Sequence, residues 1–425
     1  MNNNNPTGIN GYGVKNYPPD EELSSALHQY AKERLTVPQR LERLKLEHGL
    51  TIQKSRLLQL NNQFKVPSPR KRLPQDIATQ AVLEKVADDV TQRNGVGTIG
   101  TLLGNEGIIL PRDFIRKVLA THAPEGLSQR FPGANRVPRS ALVAIGPNYQ
   151  HHADGHDKLN AQALAMGGVS LPIYGIKDQW SSLLLHLVVV PNNRLATTIG
   201  HVYLDSPEKH GLIPITFVMD KGSETGFIFG FQTGLREAYA PDIDAEKFPA
   251  AQHVRSIHNT PIEGAWHWFL NTLGFNIKDR IRQGYQDGVY NPGNPVHPHL
   301  FNWLWPKILQ IQLDRFVEYW NNHKIRYQKD KPNMSGQTPR HAFALPKAPA
   351  ADCRIPVDRS VVDALRGQIP ISRDASMRWV DDDFDQAATK AYDDIGRPSL
   401  TSVAMGWAIF EQMCPLIVYQ PSEFE

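Results

Sequence analysis

The sequence predicts an α/β fold, a mixed sheet covered by helices, standing behind a front end built only of helices. Three observations carry that expectation. Residues 20–66 and 75–122 place apolar side chains at helical spacing, broken by glycines. Residues 170–175 and 183–190 are β-rich and flank KDQWSS as a hairpin connection. After the hairpin, strand-like and helix-like runs alternate as far as residue 323, the pattern of a sheet with helices packed on it.

The elements follow in order. Residues 1–19 open with MNNNNPTGINGYG, which lacks the apolar stretch of a signal peptide and reads as a disordered tail. Residues 20–66 are expected to hold two or three helices. Thr36, Val37, Pro38 and Gln39 form a capping-box start with an early proline, and Leu41 and Leu44 follow at helical spacing. His48-Gly49-Leu50 stops that helix, and Thr51 begins another carrying Ile52, Leu57, Leu58 and Leu60. Helix, glycine turn and helix make a helix-turn-helix arrangement, with a plain helical hairpin as the alternative. In the first case the second helix enters the DNA major groove, opened here by Gln53, Lys54 and Arg56. The linker VPSPRKRLP leads to a second helical module at 75–130, with Gly95, Gly97 and Gly107 at a tight turn and Phe114, Ile115, Val118 and Leu119 periodic. Arg70, Lys71 and Arg72 between prolines read as a nuclear-import patch.

Farther on, residues 193–205 read as a helix, and 213–219 as a buried apolar strand ending at Asp220. Residues 227–239 are helical, 254–257 give a last short strand, and 263–275 and 301–323 are tryptophan-rich helices. Trp266, Trp268, Trp303, Trp305 and Trp320 read as core at that spacing, with base stacking as the alternative. Residues 341–425 turn proline-rich, then acidic, then apolar, and suggest no role.

Composition narrows the class. A chain of 425 residues, 40% hydrophobic and 21% charged, is that of an ordinary globular protein of two or three domains. A net charge of +3 identifies no partner, and its distribution is more informative, reading equally as a nucleic-acid-binding surface or a solvated helical face. Between residues 30 and 73, eleven Lys/Arg stand against three Glu, the footprint of a nucleic-acid binder. Residues 380–394 carry six Asp against one Lys. Cys353 and Cys414 are too few for a zinc site or a disulfide framework, which fits a reducing compartment. The most apolar run, residues 183–190, is far short of the ~20 residues of a membrane helix, so no membrane partner is expected.

Three acids sit where chemistry is expected. Asp154 lies in HHADGHDKL near the end of the first strand, Asp220 follows ITFVM, and Glu263 stands in the first turn of a helix behind Pro261. Strand ends and helix starts on one sheet edge can converge. Three carboxylates meeting there would suit Mg²⁺ or Mn²⁺, two ions activating the attacking oxygen and stabilising the leaving one. Taken singly, each acid reads more often as a solvated loop carboxylate. His151, His152, Asp154, His156 and Asp157 form a rival, zinc-like cluster, but their order does not match His-x-His-x-Asp-His.

The stretches GPNYQHHADGHDKL, IYGIKDQWSS, ITFVMDKGSET, HNTPIEGAWHWF and YWNNHKIRYQKDKPNMSGQTP occur in order over residues 146–339. Together they resemble the integrase core of fungal, especially basidiomycete, transposon-derived proteins, relatives of retroviral integrases and D-D-E transposases. GLTIQKSRLLQL resembles the family's helix-turn-helix, and IILPRDFIRKVLATHAPEGL the module before its core. The resemblance implies a ribonuclease-H-like, five-stranded mixed sheet at 146–340 with a tail at 341–425 outside it. It also implies a nuclear, multimeric, DNA-cutting and DNA-joining enzyme. The family's two Asp and one Glu match Asp154, Asp220 and Glu263, the catalytic residues and ligands of two Mg²⁺ or Mn²⁺ ions. Asn259, Lys324 and Arg326, with His323, are assigned to DNA contact. The chain departs from the family at Met219, Lys221 and Thr225 around the second acid. It departs again at Gln179, Trp180, Ser181 and Ser182 after Asp178, where the family's Arg is lost. An intact acid trio implies a polynucleotidyl transferase. The altered flanks imply the alternative, a domesticated, catalytically silent DNA-binding or scaffolding protein.

Overall fold

A computed structural model describes residues 17–71, 73–90, 93–123, 144–255, 258–328 and 333–419. Those from 17 to 123, apart from 88–90 and 93, form one compact unit; 88–90 and 93 belong with 144–419 in the other. Most of the expected tail at 1–19, and residues 124–130 of the second module, lie outside the described residues.

The first unit contains α1 (Asp20–Lys32), α2 (Val37–His48), α3 (Lys54–Gln63), α4 (Gln75–Ala87), α5 (Val96–Asn105) and α6 (Arg112–His122). At the start of α2, Thr36 and Gln39 make both bonds of the capping box, and Gly49 ends the helix with φ at +61°. The next helix begins at Lys54 rather than Thr51, because Ile52 is drawn into the core and the chain stays extended up to Gln53. Leu23, Leu27, Tyr30, Leu44, Leu57 and Leu60 fill the core of α1–α3. Val82, Ile99, Leu103, Ile115 and Leu119 fill that of α4–α6.

The second unit runs β1 (Gln150–His156), α7 (Ala161–Leu164), β2 (Ile173–Asp178), β3 (Leu184–Val189), α8 (Ala196–His210), β4 (Leu212–Ile213), β5 (Thr216–Asp220), α9 (Gly226–Tyr239) and β6 (Ala251–Val254). It continues through α10 (Thr260–Phe269), α11 (Phe275–Gln286), α12 (Val296–Asn322), α13 (Pro339–Ala344), β7 (Ile355–Pro356), α14 (Arg359–Arg366), α15 (Arg373–Ser376), α16 (Asp382–Asp394) and α17 (Gly406–Met413). The sheet has five strands in the order β3-β2-β1-β5-β6. β1–β2 and β2–β3 are antiparallel, whereas β1–β5 and β5–β6 are parallel. This is the mixed, helix-flanked five-stranded sheet expected of a ribonuclease-H-like core.

Strand alternation sorts the two faces. Ala153, Ile176, Phe217 and Met219 point towards α8 and α9, where Ile199, Val202, Tyr203 and Ile228 complete the main core. His152, Asp154, Gly175 and Lys177 take the opposite face, under α10. The outer edge of β3 is closed by two amides of α12. Gln310 bonds the Val189 N–H and Leu187 carbonyl, and Asn321 bonds both backbone groups of Leu184, so the edge offers fewer groups to another strand.

Several boundaries shift for identifiable reasons. The run expected as one strand at 213–219 is divided at Pro214: Thr216–Asp220 enters the main sheet, and Leu212–Ile213 pairs with Ile355–Pro356. The hairpin strand expected at 170–175 is observed at Ile173–Asp178, and the last strand, expected at 254–257, at Ala251–Val254. The helix expected at 263–275 starts at Thr260 and runs on through a π-helical turn, Leu270–Gly274, into α11. Residues 341–419 pack on the core rather than apart from it. β7 pairs with β4, α14 packs on α8, and α16 and α17 pack on α12. Asp205 of α8 accepts from Arg366 and from both Nε and Nη2 of Arg373.

Candidate active site

Parallel pairing sets the first two acids side by side. His152 aligns with Val218 and Ala153 with Met219, so one step farther along both strands Asp154 lies beside Asp220 at their C-terminal ends. Glu263 follows from α10, whose first turn holds Pro261 and carries the carboxylate at the positive end of the helix dipole.

The helix is tied to the sheet at three points. Asn259, its N-cap, donates from Nδ2 to Asp220 Oδ1 at 3.2 Å and to the Ala153 carbonyl at 2.9 Å. Trp266 donates from Nε1 to Asp154 Oδ2 at 3.1 Å. Lys177, buried on β2, donates to the Pro261 carbonyl at 2.6 Å. Residues 259, 263 and 266 are spaced by four and three, so they share one helical face and Glu263 stands between the two tethers. The indole of Trp266 fits because the residue beside Asp154 on β2 is Gly175, where a Cβ would meet Trp266 Cη2 at 2.7 Å. His156 stacks on the ring, centroids 4.8 Å apart.

Electrostatics mark the same place. Burial, then Asp220, and more weakly Glu263, push the Asp154 carboxyl up to about 7, against the Trp266 hydrogen bond. His152 is held low by burial, so its ring is neutral. With Asn259 Nδ2 already donating, Asn259 Oδ1 accepts from His152 Nδ1 at 2.8 Å, and His152 Nε2 turns to the Gln179 carboxamide at 3.0 Å. Asp178 is fully buried and accepts from Asn148 N, Ser181 N and Ser181 Oγ, so it shapes the hairpin turn.

The rival histidine cluster is divided by the strand. His151 points to the other face against Phe217, where burial lowers it to about 3, while His152 and His156 share the α10 side. Asp157 ties down the loop after β1 through Asn193 and Arg194. Among the described residues, no three His, Cys, Asp or Glu side chains are gathered closely enough to hold a metal ion as they stand.

The remaining expected contacts scatter. Gln53, Lys54 and Arg56 are exposed at the start of α3, Arg56 donating to Tyr17 Oη. Lys324 and Arg326 are exposed beyond α12. Asn259, expected to face DNA, is wholly buried and its amide is engaged inside the core. Trp266, Trp303, Trp305 and Trp320 are buried, whereas Trp268 is half exposed. The sequence reading missed the parts played by Trp266, Gly175, Lys177 and His152. Strand alternation could have put His152 beside Asp154, and helical spacing could have put Asn259 and Trp266 beside Glu263.

Residues 143–335 match the family model described as integrase core domain, and no curated protein matches the chain. The core is therefore integrase- or transposase-related.

Proposed function

We propose that this integrase-type core cuts and joins DNA as a polynucleotidyl transferase, with Asp154, Asp220 and Glu263 as its metal-holding carboxylates. The observation that carries the proposal is the pinning of the Glu263 helix to both aspartates, through Trp266 on Asp154 and Asn259 on Asp220. The donor set suits Mg²⁺ or Mn²⁺: three hard-oxygen carboxylates, of which Asp220 and Glu263 add to burial in raising the Asp154 pKa, and which would draw closer around an ion. When bound, a pair of such ions supplies Lewis-acid activation of the attacking oxygen and neutralises charge on the leaving one.

The chain's own residues do the positioning. Trp266 and Asn259 fix the rotamers of the two aspartates, and Lys177 anchors the first turn that carries Glu263. Water attacks a phosphodiester first and displaces a 3′-hydroxyl; that hydroxyl then attacks a target phosphodiester and displaces the target strand's own 3′-hydroxyl, so one bond breaks for each bond formed and no protein–DNA covalent bond is needed. Exposed Lys324 and Arg326 are suited to phosphate contact, and Gln53, Lys54 and Arg56 to the major groove. Action on DNA in the nucleus as a homo-oligomer belongs to the same proposal.

The second reading is a catalytically silent DNA-binding or scaffolding descendant. The same two bonds favour it, since each occupies an aspartate oxygen with a neutral donor.

The test is nicking and strand transfer on labelled duplex with Mg²⁺ or Mn²⁺. Asp154→Asn, Asp220→Asn and Glu263→Gln should each fall to background while folding normally, and double variants should be hardly worse than single ones. Wild-type protein that folds and binds DNA yet never cleaves would leave the silent reading standing. Cleavage surviving in Glu263→Gln would displace Glu263 from the trio.

A further inference from the structure

The first unit contains one plan twice. In α2–α3 the turn glycine is Gly49, with φ at +61°; in α5–α6 it is Gly107, at +82°. Counting from each glycine, the third residue is apolar and buried: Ile52 in one, Leu110 in the other, each 5% exposed. The fifth opens the following helix with a cation, Lys54 in one and Arg112 in the other. The eighth and eleventh are buried core residues, Leu57 and Leu60 against Ile115 and Val118. A third helix completes each core, α1 in the first and α4 in the second. α6 therefore occupies in its module the place that α3 occupies in its own, the place of the groove-entering helix.

The outward face of α6 fits that role. Arg112, Arg116 and Lys117 are all exposed on it. Asp113 is the helix's one carboxylate and bonds Arg116 at 2.9 Å, but both side chains are more than half exposed, so the pair is weak and leaves the face cationic. Arg34, from the α1–α2 turn, bonds the Leu110 carbonyl just before α6 and lies against Gly100. Burial and then Arg112 lower its pKa, which places a further guanidinium in the same positive field.

We propose that α6 is a second duplex-DNA-binding helix, contacting the backbone through Arg112, Arg116 and Lys117, so that the unit grips DNA at two places. The inference rests on duplex DNA being the substrate of the core, but binding can be measured apart from cleavage.

The experiment uses the full chain in EDTA and a fluorescein-labelled 40-base-pair duplex of arbitrary sequence, read by anisotropy across 50–200 mM KCl. One variant is Arg112→Ala/Arg116→Ala/Lys117→Ala, and the other is Lys54→Ala/Arg56→Ala, all at exposed positions. Circular dichroism should match wild type in both. Loss of three phosphate contacts should flatten the slope of log K against log[salt] by roughly 2.7, with affinity falling at least about tenfold. A triple variant with wild-type affinity and slope overturns the inference. If the α3 variant weakens binding in that case, a single reader remains and the proposed function is untouched. Wild-type protein that binds no duplex even at 50 mM KCl overturns the inference together with the DNA-substrate reading. An equal loss on a single strand of the same length would make the face a general polyanion binder and also overturn it.

Discussion

Gly175→Ala disturbs the candidate site without touching an acid. The added Cβ would stand 2.7 Å from Trp266 Cη2 and 3.1 Å from Cζ2, whereas ordinary contact begins near 3.4 Å. The ring must therefore retreat by about 0.7 Å, since Leu187 Cδ1, at 3.1 Å, closes the other direction. That movement stretches the Trp266–Asp154 bond from 3.1 Å to about 3.8 Å, beyond hydrogen-bonding range. Overpacking alone should cost about 1–3 kcal/mol of stability. Because Trp266 and Glu263 ride on one helix, metal-dependent cleavage should fall about 10- to 100-fold with DNA affinity unchanged. Chemical denaturation and single-turnover nicking read the two effects. Gly264→Ala is the control on the same helix: nothing lies within 4 Å of its Cβ, so it should be neutral or stabilise by up to about 1 kcal/mol. Trp266→Phe removes the two clashing carbons, so the double variant should be scarcely less stable than Trp266→Phe alone, a coupling of about 0.5–3 kcal/mol. Simple additivity, or a Gly175→Ala protein with full stability and activity, would refute the packing argument.

Two further outcomes concern the rest of the core. Burial works against the Asp205 carboxylate, but Arg373, His186 and Arg366 hold its pKa below the usual 3.8. A depressed acid stabilises above its unfolded value, and that stability is lost as pH falls through the lower folded one. Asp205→Asn should therefore cost roughly 2–3 kcal/mol near pH 7, and the gap to wild type should close below about pH 4. A gap that widens on acidification would show that Arg373 and Arg366 do not set it. Ending the chain at residue 340 removes Ile355, the partner of Ile213, along with Val362 and Ile369 from the main core. That protein should aggregate or bind a hydrophobic dye, and a monodisperse, cooperatively folding product would mean the segment is dispensable.

Much of this molecule was legible in the chain itself. The capping box at Thr36–Gln39, the stop at Gly49, the β-rich hairpin and the placement of Asp220 at a strand end depend on local chemistry, which a linear sequence displays. Other features depended on which distant segments meet. Pro214 ends one strand, but that Leu212–Ile213 finds Ile355–Pro356 more than 140 residues later is a tertiary event. The tail looked roleless because Arg366 and Arg373 acquire meaning only against Asp205. Asn259 read as a DNA contact because its burial under α10 is invisible in one dimension. Trp266 read as core, which it is, yet its indole N–H also reaches Asp154 because a glycine on a neighbouring strand leaves room for the ring. Local propensities and motifs are written residue by residue, whereas register between strands and the space left by one missing Cβ exist only once the chain has folded.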